Sequence, residues 1–104
     1  METKQKLILA STSPRRKELL ELSGLAFEVT APTADEKLLP GELPADYAVR
    51  TAREKAESIP ARPGAVILGA DTVVAVEGLI LGKPAGAADA VRMLRLLSGR
   101  MHEV

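Results

Sequence analysis

Residues 7–20 read LILASTSPRRKELL. An apolar run gives way to small hydroxyl residues, then a proline, then two arginines, then a helical pattern. Lys6 to Ala10 has the length and the Ser/Thr boundary of a short buried strand. Ser13 is a good N-cap, and Pro14 suits the first helical position, where an N–H would go unused. Leu19, Leu20 and Leu22 form an apolar stripe and Gly24 supplies a stop, which predicts a helix over residues 14–23. A strand–loop–helix start of this kind belongs to an α/β fold. Arg15 and Arg16 fall in the first helical turn, where the helix field opposes a cation by roughly 0.3–1 kcal/mol. Two readings are open for them. They are solvated surface charges, or they serve an anion that the free N–H groups of a helix start already favour. Guanidinium groups add planar, bidentate donors suited to phosphate. The chain contains no GxxxxGK[ST], so this is not a Walker loop.

The rest of the chain continues the alternation. Residues 26–31 set Phe27 and Val29 against Glu28 and Thr30, a strand pattern. Residues 32–44 form a proline-punctuated polar loop that carries Asp35, Glu36 and Lys37. Ala45, Ala48, Val49, Ala52, Ala56 and Ile59 repeat at helical spacing, predicting a helix over 45–58. Residues 65–70 are apolar without alternation, as in a central strand covered on both faces. Residues 72–76 and 79–81 flank Glu77-Gly78 and predict a hairpin with a two-residue turn. Ala87, Val91, Leu94 and Leu97 mark a helix over 87–98, with Gly99 as its stop, and His102 to Val104 reads as a strand just starting. The order β-α-β-α-β-β-α predicts an α/β fold with a mixed β-sheet flanked by helices. There is no repeat, low-complexity tract or linker, so residues 1–104 read as one domain.

Composition excludes several classes. The 104 residues suit one small domain, and 46% hydrophobic content argues for a folded chain. Fourteen basic residues balance fourteen acidic ones, which gives no support to nucleic-acid binding. One Tyr, one Phe and no Trp leave no stacking platform for single strands. Without Cys there are no disulfides or thiolate metal sites. The start METKQKLILA has too short an apolar segment for a signal peptide, and no run reaches membrane-spanning length. The expectation is a soluble, cytoplasmic protein with no nucleic-acid or membrane partner.

Asp71 ends the buried run AVILGAD. A carboxylate there needs compensation, and ligands of open α/β sheets bind outside the carboxyl ends of strands. It reads either as a turn cap or as a metal ligand and a base that activates water. Lys83, in LGKP after the hairpin, is a solvated turn residue or one folded back over the same sheet end as Asp71. Lys55 lies at the edge of the second helix's apolar stripe, either snorkelling or reaching into a site. Glu36 reads as solvated by residue type alone. His102 is the only histidine, so no Ser/His/Asp triad or His-based metal site can be assembled.

At this point the sequence resembles a known family. LASTSPRRKELL, REKA at residues 53–56, LGADTVV at 68–74, LGKP at 81–84 and AVRMLRLLSGRMHEV at 90–104 match, in order, the motifs of the Maf proteins, nucleoside triphosphate pyrophosphatases. The resemblance implies a Maf/inosine triphosphate pyrophosphatase-like fold. It implies hydrolysis between the α- and β-phosphates, giving a nucleoside monophosphate and pyrophosphate, with a divalent cation, magnesium or manganese. By position it assigns Ser11, Arg15 and Arg16 to a phosphate-binding loop. It assigns Glu36, Lys55 and Lys83 to polar site positions, and Asp71 to the proton acceptor and metal ligand. Ala70 and Thr72, in the GADT form, are similar to the subgroup acting on dTTP and UTP. A homodimer is among the partners it allows. Members of the family are roughly twice this long, so the resemblance covers an N-terminal half. The rival reading is a catalytically incomplete fragment or a non-catalytic nucleotide-binding module.

Overall fold

A computed structural model of the protein describes residues 5–104. Met1 to Lys4, part of the stretch used above to exclude a signal peptide, lies outside the described residues. The elements run β1 (Lys6–Ala10), α1 (Pro14–Glu21), β2 (Phe27–Thr30), α2 (Pro44–Glu57), β3 (Ala65–Gly69), β4 (Val74–Val76), β5 (Leu79–Leu81) and α3 (Ala87–Leu97). This is the predicted α/β order. The chain divides into two compact units. Of the described residues, one comprises residues 5–37 and 49–71, the other residues 38–48 and 72–104. Among the described residues no helix is long and apolar enough to cross a membrane.

The first unit is built on a parallel sheet of order β2-β1-β3. Leu7 stands opposite Phe27 on one side and Val66 on the other, and Ala10 opposite Thr30 and Gly69. The central strand is therefore β1, whereas the unbroken apolar run had pointed to β3. A run of apolar residues reports what a strand could bury, not how many neighbours it has. Within the described residues β3 is an edge, and its Val66 and Leu68 are exposed. The opposite face holds the core: Ile8, Ala10 and Ile59, with Ala65 and Ile67 against them. The helix stripe of α1 is likewise open, with Leu19 57% and Leu22 83% exposed.

Local chemistry sets the helix ends. Ser13 caps α1, its Oγ accepting from the Arg16 N–H at 3.3 Å. The helix stops at Glu21, two residues earlier than predicted, and the chain turns through Gly24 at φ 78°. Helix α2 starts one residue early because Pro44, with its preset φ, takes the first turn. Gly69 has a different role. A Cβ there would run into the carbonyl oxygen of Ala52 and lie 3.1 Å from the Ala56 Cβ. Glycine is what lets the second half of α2 lie directly on β3.

Glu28 on β2 bridges Lys6, at 2.5 Å, and Arg62, at 2.7 Å. Hydrogen bonds from Lys6 and then Arg62 hold its carboxyl below the usual carboxylate range. A depressed folded-state value contributes stability that is complete above the unfolded carboxylate range and is lost as pH falls through the folded one. The side chains are about half exposed, so the effect is small and screened by salt. Urea midpoints should accordingly favour the wild type slightly over Glu28→Gln at pH 7. That margin should vanish on acidification or in high salt, and a margin that grows toward acid would contradict the assignment.

The second unit contains the antiparallel hairpin β4–β5, with Val76 opposite Leu79. Glu77 (φ 51°) and Gly78 (φ 77°) form its two-residue turn, the mirror-image type that matches strand twist. Glu103 pairs with Ala75 through two backbone hydrogen bonds of 2.9 and 2.8 Å, as expected for a strand beginning near His102. Parallel and antiparallel pairings thus occur in two separate sheets. Helix α3 turns Ala90, Met93 and Leu97 inward, leaving Val91 and Leu94 exposed, a rotation from the predicted stripe. Asp89 near its start accepts from the Ala85 N–H and from Arg92, and these contacts lower its carboxyl from the ordinary value.

Candidate active site

The sheet order decides where a site can form. From β1 the chain goes to β2 on one side and later reaches β3 on the other. The carboxyl ends of β1 and β3 therefore flank a topological switch point, the usual ligand crevice of an open parallel sheet. The Ser11–Pro14 loop leaves β1 there, and Asp71 lies two residues beyond the end of β3.

The loop is internally tied. Ser11 is buried, its N–H donates to Leu9 and Thr30 carbonyls at 3.1 Å, and its Oγ accepts from the Ser13 N–H at 3.0 Å. The Ser13 and Arg16 amides are thus satisfied by serine hydroxyls, and Pro14 has none to offer. That reduces the share of anion binding that bare helix N–H groups could supply, and shifts it to the guanidinium groups. Arg15 is exposed, whereas Arg16 is largely covered and brings Nη2 to 4.0 Å from Asp71 Oδ1.

Lys55 reaches in from α2. It is 8% exposed, and its ammonium pairs with Glu36 at 2.5 Å and Asp71 at 3.2 Å, with the Ala70 carbonyl at 3.5 Å. Three donors thus meet three acceptors, which is what makes burying an ammonium tolerable. The Lys55 ammonium turns inward to two carboxylates and a carbonyl, not outward to solvent. Glu36 remains half exposed, yet its loop is pinned to α2 from both sides. The Thr33 N–H donates to Ser58 Oγ at 3.0 Å, and Arg50 donates to the Lys37 carbonyl at 2.6 Å.

The residue that sequence reading missed is Thr51. Its side chain donates to Asp71 Oδ2 at 2.5 Å. The two buried residues of α2 are Thr51 and Lys55, one turn apart, while Val49 from the predicted stripe is exposed. Two buried polar residues at i,i+4 spacing beneath the alanines were the available signal.

Arg16, Glu36, Lys55 and Asp71 thus converge with Thr51 in one ion-paired cluster. Ser11 stands in the adjoining loop without a contact of its own to that cluster among those described. Thr72 and Lys83 belong to the second unit, and both are exposed. Among the described residues no group of three or more His, Asp or Glu could hold a metal alone. Two carboxylates, Glu36 and Asp71, do converge on one cation, the ammonium of Lys55. That donor set is the kind a hard divalent cation takes when water completes its shell.

Comparison with known proteins identifies the family. A family model described as Maf-like protein matches residues 6–104. A dTTP/UTP pyrophosphatase of Anaeromyxobacter dehalogenans (strain 2CP-C) is 57% identical over 95% of this chain and 50% of its own length. The dTTP/UTP pyrophosphatase of Geotalea uraniireducens (strain Rf4) is 54% identical over 100% of this chain and 54% of its own. That of Geobacter sulfurreducens is 54% identical over 97% and 53%. The chain spans about half the length of the curated relatives it matches. A strand–STSPRR–helix loop beside an Asp-Lys-Glu cluster, at the carboxyl end of a parallel sheet, and a family match over nearly every residue lead to one conclusion: the chain belongs to the Maf-like proteins.

Proposed function

We propose that this chain handles the triphosphate of dTTP and UTP, and hydrolyses them to the nucleoside monophosphate and pyrophosphate. The observation that carries the reading is the convergence of Arg16, Glu36, Lys55 and Asp71, from four separate segments, on one cluster outside the carboxyl ends of β1 and β3. A neutral chain that binds a polyphosphate must gather cations locally, and these cations are gathered beside a carboxylate that can work as a base. The nucleotide preference rests on the GADT segment and on the names of the relatives.

In the proposed reaction Asp71 orients a water molecule and accepts its proton as the oxygen attacks the α-phosphorus in line. The bond from that phosphorus to the bridging oxygen breaks, and pyrophosphate leaves. Arg15, Arg16 and Lys55 neutralise charge on the triphosphate and on the departing group. Ser11 holds the loop that presents the arginines. Read on the motifs, Lys83 and Thr72 also serve the substrate. Asp71 and Glu36 would hold the divalent cation, which would supply charge neutralisation and lower the pKa of bound water.

A second reading, nucleotide binding without turnover, is favoured by one observation. Parallel sheets are normally covered on both faces, and here Val29, Val66 and Leu68 are exposed on the face where only the central Leu9 is buried. One assay separates the two. Pyrophosphate release from dTTP and UTP is measured with and without magnesium, alongside nucleotide binding by calorimetry. Magnesium-dependent release supports hydrolysis. Binding without release moves the chain to the second reading, and neither binding nor release eliminates both.

A further inference from the structure

Thr51 is the most deeply buried polar side chain among the described residues, at 1% exposure. A threonine facing inward on a helix is a poor structural choice. Its branched side chain lowers helix propensity, and burying its hydroxyl is costly unless the hydroxyl is bonded. Here it is bonded to the carboxylate at the centre of the site. Thr51 Oγ1 donates to Asp71 Oδ2 at 2.5 Å, while Oδ1 faces Lys55 Nζ at 3.2 Å and Arg16 Nη2 at 4.0 Å. The two oxygens of Asp71 are thereby made unequal, one bonded by the Thr51 hydroxyl and the other facing the Lys55 and Arg16 cations. The terminal torsion of an aspartate is broad and does not choose between such orientations by itself.

We propose that Thr51 is a positioning residue: its hydroxyl, donating to Oδ2, fixes the plane of the Asp71 carboxylate and so sets how Oδ1 is presented to the cations and to the substrate. The inference rests on the reading of Asp71 as the proton acceptor. Thr51 touches no reacting atom. Loss of a partner that orients a reacting group typically costs about 10–100-fold in activity. The cost falls on kcat, because the contact serves the reacting carboxylate more than nucleotide affinity.

The test compares the wild-type 104-residue chain with Thr51→Val, which keeps the shape and removes the hydroxyl, and Thr51→Ser, which keeps the hydroxyl. Thr51→Ala replaces the valine variant if circular dichroism shows that variant unfolded. The first readout is the side-chain carboxyl ¹³C resonance of Asp71, assigned through Asp71→Asn. It should move in Thr51→Val and return toward the wild-type position in Thr51→Ser. An unmoved resonance in Thr51→Val overturns the inference, and this readout needs no turnover. The second is magnesium-dependent release of pyrophosphate from dTTP. Here kcat should fall about 10–100-fold in Thr51→Val with little change in KM, and recover in Thr51→Ser. A moved resonance with undiminished kcat overturns positioning. If Asp71→Asn retains full turnover, it is the reading of Asp71 that fails. If the wild-type chain has no turnover, the functional reading fails, and the resonance alone decides whether Thr51 orients the carboxylate.

Discussion

Asp71→Asn is expected to lower pyrophosphate release from dTTP and UTP by roughly 10²–10⁴-fold, the range of a positioned acid–base group. The substitution preserves size and can still accept from Thr51, so the β3–α2 packing has no reason to change. What it removes is the proposed proton acceptor and one negative charge beside Lys55 and Arg16. Those cations are then held less tightly by the protein and are freer to meet phosphate. Nucleotide affinity in the absence of metal should consequently stay level or rise while turnover collapses. Calorimetry with dTTP and a pyrophosphate assay on the same preparation check both halves. Turnover equal to wild type would remove Asp71 from the reaction. A parallel loss of binding and turnover would instead make it a binding residue.

Gly69→Ala is the second large expectation. Overpacking a closely fitted contact costs about 1–3 kcal/mol, and here the obstacle is a backbone carbonyl, that of Ala52, which cannot rotate away as a side chain could. Relief requires α2 to retreat from β3. Thr51 and Lys55 lie on that helix and Asp71 follows that strand, so a retreat also stretches the 2.5 Å and 3.2 Å contacts. The variant should show a lower urea midpoint together with reduced turnover. Gly82→Ala serves as the control, because a Cβ there meets nothing within 4 Å. A midpoint for Gly69→Ala as high as that control would show that the helix and strand are not in the close contact described.

Much of the fold was legible because its signals are local. Ser13-Pro14 starts a helix, Glu77-Gly78 turns a hairpin, and short apolar runs make strands, whatever the rest of the chain does. The errors occur where a local pattern had to stand for a neighbour. The apolar run of β3 suggested a central strand, yet β1 is central. Of the leucine stripe read for α1, Leu19 and Leu22 are exposed and Leu20 alone is partly covered. Periodicity states which face of an element is apolar, but only packing determines what lies against it.

The site divides along the same line. The sequence by itself determined that two arginines stand at the cation-unfavourable pole of a helix, that a carboxylate ends a buried strand, and that both lie in motifs of one family. It could not show that Arg16 turns to Asp71 while Arg15 faces solvent, or that Glu36 meets Lys55 across nineteen positions of chain. Thr51 was marked in the sequence only as a polar residue one turn before Lys55. Its role exists only because α2 lies on β3 across a glycine, bringing a hydroxyl to a carboxylate twenty residues away. Ion pairs and hydrogen bonds act over a few ångströms, and distances that short between remote residues are set by the tertiary fold.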